Sequence, residues 1–144
     1  MSKRVGIESK AYEAMMGLEN YLKTTELNPI HKELIKIRAS QINGCAYCLS
    51  MHTKDARALG ETEQRIYVLN AWRETTALYT PEERAILAVT EEVTRISEHG
   101  VTDKTYEEAE ALLGRKYLSQ VLMAAMVINT WNRLAIASRM QPAE

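Results

Sequence analysis

Apolar residues recur along this chain at spacings of three and four, and strict alternation is almost absent. Between about Ile7 and Lys23, the residues Ala11, Tyr12, Met15, Leu18, Tyr21 and Leu22 fall on a helical period. Asn28-Pro29 opens a second helix with Ile30, Leu34 and Ile37 as its stripe, Glu33 beside that stripe, and an end near Ile42. Ile42-Asn43-Gly44 reads as a break. A third helix is predicted from about Cys45 to Leu59, with Gly60 as its stop, and a fourth from Glu61 to about Leu78. Thr80-Pro81-Glu82-Glu83 combines an N-cap threonine, proline at the first helical position and a capping-box glutamate. The helix it opens runs through Ile86, Leu87, Val89, Val93 and Ile96 and fades by His99-Gly100. Thr102 caps another, from Asp103 to Leu113, stopped at Gly114.

The last predicted helix, roughly Arg115 to Ser138, is different. From Tyr117 to Ile128 it is apolar except at Ser119 and Gln120, which is the pattern of a central helix or one shared between subunits. It is too interrupted to span a membrane. Its Asn129, Asn132 and Arg133 then need partners, a carboxylate from a neighbouring helix in the case of Arg133. With Trp131 they are assigned to stabilising the helix or a subunit contact rather than to touching substrate. Met15, Met16, Met51 and Met126 read as helix-core residues. The pattern predicts an all-α fold, a helical bundle formed by a single domain over residues 1–144, with no linker or repeat.

Composition narrows the classes of function. At 144 residues and 46% hydrophobic, the chain has the material for one real core. Lys+Arg 18 stand against Asp+Glu 19 without a basic block, which argues against nucleic acid and against electrostatic attachment to a membrane. The start, Met-Ser-Lys-Arg, carries no apolar signal segment. Two cysteines are too few for a disulfide-stapled secreted scaffold, so a cytoplasmic location is expected.

Both cysteines lie in Gly44-Cys45-Ala46-Tyr47-Cys48-Leu49-Ser50-Met51-His52. On a helix, Cys45 and Cys48 share a face and His52 follows Cys48 by one turn. A dithiol at this spacing can cycle: one thiolate attacks an O–O bond and becomes a sulfenic acid, and the second thiol condenses with it. An imidazole exchanges protons near neutrality, so His52 can serve as acceptor or donor. Proximity to the helix N-terminus favours Cys45 as the more acidic thiol, whereas proximity to His52 favours Cys48 as the nucleophile. A zinc site is the rival reading, with Cys45, Cys48 and His52 as ligands and His31, Glu33 or water as the fourth. A single C-x-x-C lacks the second half of the usual structural site, and no metal or cofactor is expected.

Glu33, eleven residues, Cys45-x-x-Cys48, three residues and His52 together resemble the alkylhydroperoxidase AhpD-like proteins related to carboxymuconolactone decarboxylases. Thr80-Pro81-Glu82-Glu83-Arg84 and Ile128-Asn129-Thr130-Trp131-Asn132-Arg133 extend the resemblance to about Asn28–Ala137. It implies an AhpD-like helical bundle assembled as a homotrimer or homohexamer. It also implies Cys48 as the thiol that attacks a small hydroperoxide, Cys45 as the resolving thiol, His52 and Glu33 as a proton relay, and an external thiol or dithiol as reductant. Peroxidase relatives often place a second histidine immediately before the second cysteine; here Tyr47 stands there, and a phenol (ordinary pKa about 10) is no base near pH 7. The alternatives are a lactone decarboxylase of the same fold and, outside enzymes, a helical oligomer whose cysteines hold zinc or sense oxidants without turnover. The decarboxylase is the alternative enzyme. It has no need of a dithiol, and it calls for basic pocket residues that the sequence does not locate.

Overall fold

The side chain of Asn28 accepts the Ile30 amide and Pro29 takes the first helical position, so the second helix begins where its signals stand. The computed structural model describes residues 4–144; residues 1–3, part of the start read as lacking a signal segment, lie outside the described residues. The helices are α1 Ser9–Lys23, α2 Pro29–Asn43, α3 Ala46–Ala58, α4 Glu63–Tyr67, α5 Pro81–Thr94, α6 Ile96–His99, α7 Asp103–Leu113 and α8 Arg115–Ala137. No strand occurs among the described residues, and the chain is an all-α bundle, as its pattern predicts. No described helix is long and apolar enough to cross a membrane.

As its composition predicts, α8 is central and packs against α1, α2, α3, α5 and α7. Val121, Ala125 and Ile128 of α8 meet Ile35 of α2 and Ile86 and Val89 of α5 in one core. A second core joins Leu34 and Ile37 of α2 to Ala56 of α3, Ile66, Leu69, Trp72 and Leu87. Because α2 lies between these cores, it is buried from Glu33 through Ser40 without interruption, rather than along the single stripe its apolar residues outline. Three charges, on Glu33, Lys36 and Arg38, are therefore carried inside. Arg38 donates from Nε to Glu91 at 2.8 Å, and Trp72 donates to the same carboxylate oxygen at 3.1 Å.

The long helix predicted over Glu61–Leu78 is not formed. After α4 the chain tightens into a 3-10 helix, Leu69–Glu74, and then leaves helical geometry. Ile66, Leu69 and Trp72 are three apart, which matches the period of a 3-10 turn, and all three point into the second core. Arg84 donates to the carbonyls of Trp72 and Thr75 at 3.1 Å each, so these groups have partners without further helix. Arg65, held by Glu61 and Glu83, also donates to the Leu78 carbonyl at 2.6 Å and folds the segment back. The helix predicted to run to His99 breaks at Arg95 (φ −98°, ψ 41°). The Thr80 capping box is present in both directions.

Asn129 donates to Thr94 Oγ1 at 3.1 Å, and Asn132 donates to Ser40 Oγ at 3.0 Å. Arg133 does not pair with a carboxylate: it donates to the Asn129 carbonyl and Oδ1 at 3.1 Å each. Helix α1 buries only Leu22 fully, and Tyr12 and Tyr21 of its predicted apolar face remain exposed. Met51 and Met126 are likewise exposed rather than in the core.

Candidate active site

The turn between α2 and α3 sets the site. Gly44 closes α2 at φ 72°, a left-handed conformation that side chains disfavour, and this reverses the chain within one residue. Asn43 donates to Asn129 and Asn132 at 2.9 Å each, tying the turn to α8. Cys45 is then the N-cap of α3 rather than part of its first turn: its backbone is extended and its sulfur accepts the Cys48 amide at 3.2 Å. Sulfur here occupies the place usually filled by a serine or aspartate oxygen. Cys45 and Cys48, with Cα atoms 5.3 Å apart, form a disulfide.

One turn on, His52 is buried against α2. Its Nδ1 lies 3.0 Å from Glu33 Oε2, also buried, and 3.9 Å from Asp55 Oδ2, which is exposed. A carboxylate only accepts, so Nδ1 carries the proton in this contact and Nε2 remains as the acceptor. Fold geometry thus selects Glu33 from the many acidic residues that the sequence offers equally.

A cavity of about 520 Å³ opens over this site. Cys48, His52, Met51, Asp55 and Tyr47 of α3 form one wall, and Tyr12, Met16, Glu19 and Lys23 of α1 another. Lys36, Trp131 and Ala135 close it from α2 and α8, with Met140 beyond. Cys48 lines the cavity and Cys45 does not. Tyr12 and Trp131 meet edge to face with ring centres 5.8 Å apart, and the Trp131 indole donates to Glu19 at 2.9 Å. Trp131, assigned from the sequence to helix or subunit contacts, therefore stands at the cavity, as does Met51. Lys36 and Lys23 supply the basic wall residues that sequence reading does not locate. Glu19 and Lys36 bear no signal of their own; they meet because α1 and α2 both border this cavity.

The sequence's zinc ligand set is not assembled in this oxidised form. The two sulfurs are bonded to each other, and His31 pairs with Tyr117 at 2.7 Å. Glu33, His52 and Asp55 bring ligand atoms within 4.8 Å of one another, so these three are the groups that a divalent ion would meet.

The class that fold and site define is an all-helical bundle presenting a C-x-x-C disulfide beside a buried Glu–His pair. The chain belongs to the carboxymuconolactone decarboxylase family, as an AhpD-like member: residues 9–92 match the family model. It is 44% identical over 140 residues to the uncharacterized protein YdfG of Bacillus subtilis (strain 168), covering 95% of each chain. Its structure is similar, with TM-score 0.94 and 38% identity over 99% of both chains, to a protein of unknown function from Agrobacterium tumefaciens with a suggested role as the antioxidant defence protein AhpD. The fold also matches an uncharacterized peroxidase-related protein from Silicibacter sp. TM1040, with TM-score 0.80, 23% identity, 94% of this chain and 72% of that one.

Proposed function

We propose that this protein is a dithiol peroxidase that reduces small hydroperoxides by cycling Cys48 and Cys45. The observation that carries this reading is the Cys45–Cys48 disulfide, with only Cys48 facing the cavity beside His52. Cys48 gives its proton to Nε2 of His52, whose Nδ1 keeps its own proton and donates it in a hydrogen bond to the Glu33 carboxylate. The thiolate attacks the terminal oxygen of ROOH; the S–O bond forms, the O–O bond breaks, and the leaving alkoxide takes the proton back from His52 as ROH. The Cys45 sulfur attacks the resulting Cys48 sulfenic acid, and hydroxide leaves with the Cys45 proton as water. Two electrons pass from the dithiol to the peroxide, and an external thiol or dithiol restores the pair by exchange. The helix-end argument for Cys45 gives way because its sulfur is turned from the cavity into the cap. A lactone decarboxylase would leave a two-electron dithiol on the cavity wall without a task.

The proposal includes a single domain working as a homotrimer or homohexamer in the cytoplasm, with no resident cofactor or metal. A rapid-mixing thiol count on reduced, metal-free protein with one equivalent of cumene hydroperoxide tests the chemistry. Both thiols and the peroxide are expected to disappear together and fast. Cys48→Ser should consume none, and Cys45→Ser should consume one equivalent and stop at a trappable sulfenic acid. Thiols persisting for minutes in the wild type would overturn the reading.

A further inference from the structure

The three charges inside α2 are not treated alike. Glu33 and Arg38 each have a charged partner within hydrogen-bond distance, at 3.0 and 2.8 Å. Lys36 does not. Its residue is 9% exposed, yet its ammonium makes no hydrogen bond among the described residues, and its ion-pair contact, Glu19 Oε2, stands at 3.7 Å. The other oxygen of Glu19, Oε1, accepts the Trp131 indole N–H, which holds the carboxylate in place beside α8. The stem of Lys36 is buried while the ammonium opens onto the cavity, so its three donors are available to an acceptor that enters there. Lys36 lines the same cavity as Cys48 and His52, and on α2 it sits three residues beyond Glu33, on the same side of the helix.

We propose that the Cys48 cavity takes hydroperoxides that carry a carboxylate, and that Lys36 is the group that reads it. This rests on the peroxidase reading and names the substrate class within it. The carboxylate settles at hydrogen-bond distance from Lys36, supplying the acceptor that Glu19 leaves too far away. The hydroperoxy group then reaches across to Cys48, and the aromatic pair holds the organic body between the two. A cavity of about 520 Å³ suits a molecule of this kind, whereas hydrogen peroxide is hardly larger than one water. Glu19 keeps the empty cavity from carrying an uncompensated charge.

The test uses cumene hydroperoxide and its ring-carboxylated analogue, which share a reacting group and differ by one anion. Single-turnover thiol loss is followed on reduced wild type at fixed ionic strength, so no physiological reductant is needed. The carboxylated compound is expected to react faster by about tenfold or more, the scale of one charge-assisted hydrogen bond. Lys36→Met should bring the ratio to about one, and Lys36→Arg should keep most of it. Since the readout is a ratio within each protein, a general loss of rate or stability does not imitate the result. Equal rates in the wild type overturn this inference and leave the peroxidase reading standing. If neither compound consumes thiols, the peroxidase reading falls and this inference with it. A preference that survives in Lys36→Met removes Lys36 from recognition. A charge preference found only among dithiols reducing the disulfide assigns the cation to the reductant and overturns the proposal.

Discussion

His52 is held by a carboxylate that is itself shut away from water, so its ring has one orientation and one free nitrogen. Removing it should slow the first attack of Cys48 by about 10²-fold or more while leaving the helices in place, measured by stopped-flow thiol loss together with far-UV circular dichroism. Glu33→Gln should fall between this variant and the wild type, because an amide oxygen still accepts from Nδ1 but carries no charge to stabilise the imidazolium. Normal rates across the pH range in His52→Ala would remove the imidazole from the proposed chemistry. Cys45, Cys48 and His52 are legible in the sequence because their spacing is local, whereas Glu33, on the preceding helix, is singled out only by the family pattern and by the tight turn that joins α2 to α3. Glu19, Lys36 and Trp131 are not legible. Glu19 and Trp131 stand 112 positions apart, and no periodicity records that their helices cross.

Among the elements, α2, α5 and α7 are readable from their caps, and α1 and α8, which have no side-chain cap, from their apolar period alone. Thr80 and Glu83 exchange both capping bonds, and Thr80→Ala should lower stability by about 1 kcal/mol in denaturant unfolding. Gly44 offers a cleaner test of the turn at the site. A Cβ there would meet nothing within 4 Å, so Gly44→Ala isolates the backbone term of the left-handed conformation, about 1–2 kcal/mol. A loss well below this range in thermal or denaturant unfolding would mean that the turn relaxes around the new residue. Where prediction fails, over residues 61–78, apolar spacing is compatible with both a 3.6-residue and a 3-residue period. Arg65 and Arg84 decide between them through contacts between this segment and α5, which lies later in the chain. The same limit applies to α2, whose charged residues look solvent-facing until the second core is seen to cover them.

At the scale of the whole molecule, three buried or half-buried groups make stability fall on the acid side. Burial pushes Glu83 and Glu91 up, but bonds from Arg65 and Thr80 to the first, and from Arg38, Trp72 and Arg73 to the second, pull both below the ordinary value of 4.5. Burial also lowers His31 below 6.5, against the opposing charge of Glu83 and Glu82. In each case the unfolded chain binds protons more readily than the folded one, so stability is complete above the unfolded pKa and is lost as pH falls through the folded value. Thermal unfolding should therefore begin to ease below about pH 6.5 and fall more steeply below about 4.5. A melting temperature flat between pH 7 and 4 would contradict these assignments. The exposed Tyr12 and Tyr21 of α1 fit the proposed homotrimer or homohexamer, and sedimentation equilibrium is expected to show no stable monomer.

The sulfur of Cys45 is at once a redox group and the acceptor at the head of α3. Electron transfer at this atom therefore alters its electron density and, with it, the strength of its bond to one backbone amide. The Cys48 amide is thus a built-in reporter: its nitrogen and proton resonances, and its rate of exchange with deuterium, should change between oxidised and reduced protein, because a free cysteine sulfur and a disulfide sulfur differ as acceptors. An NMR titration with a dithiol could then follow the oxidation state of the protein without any added label.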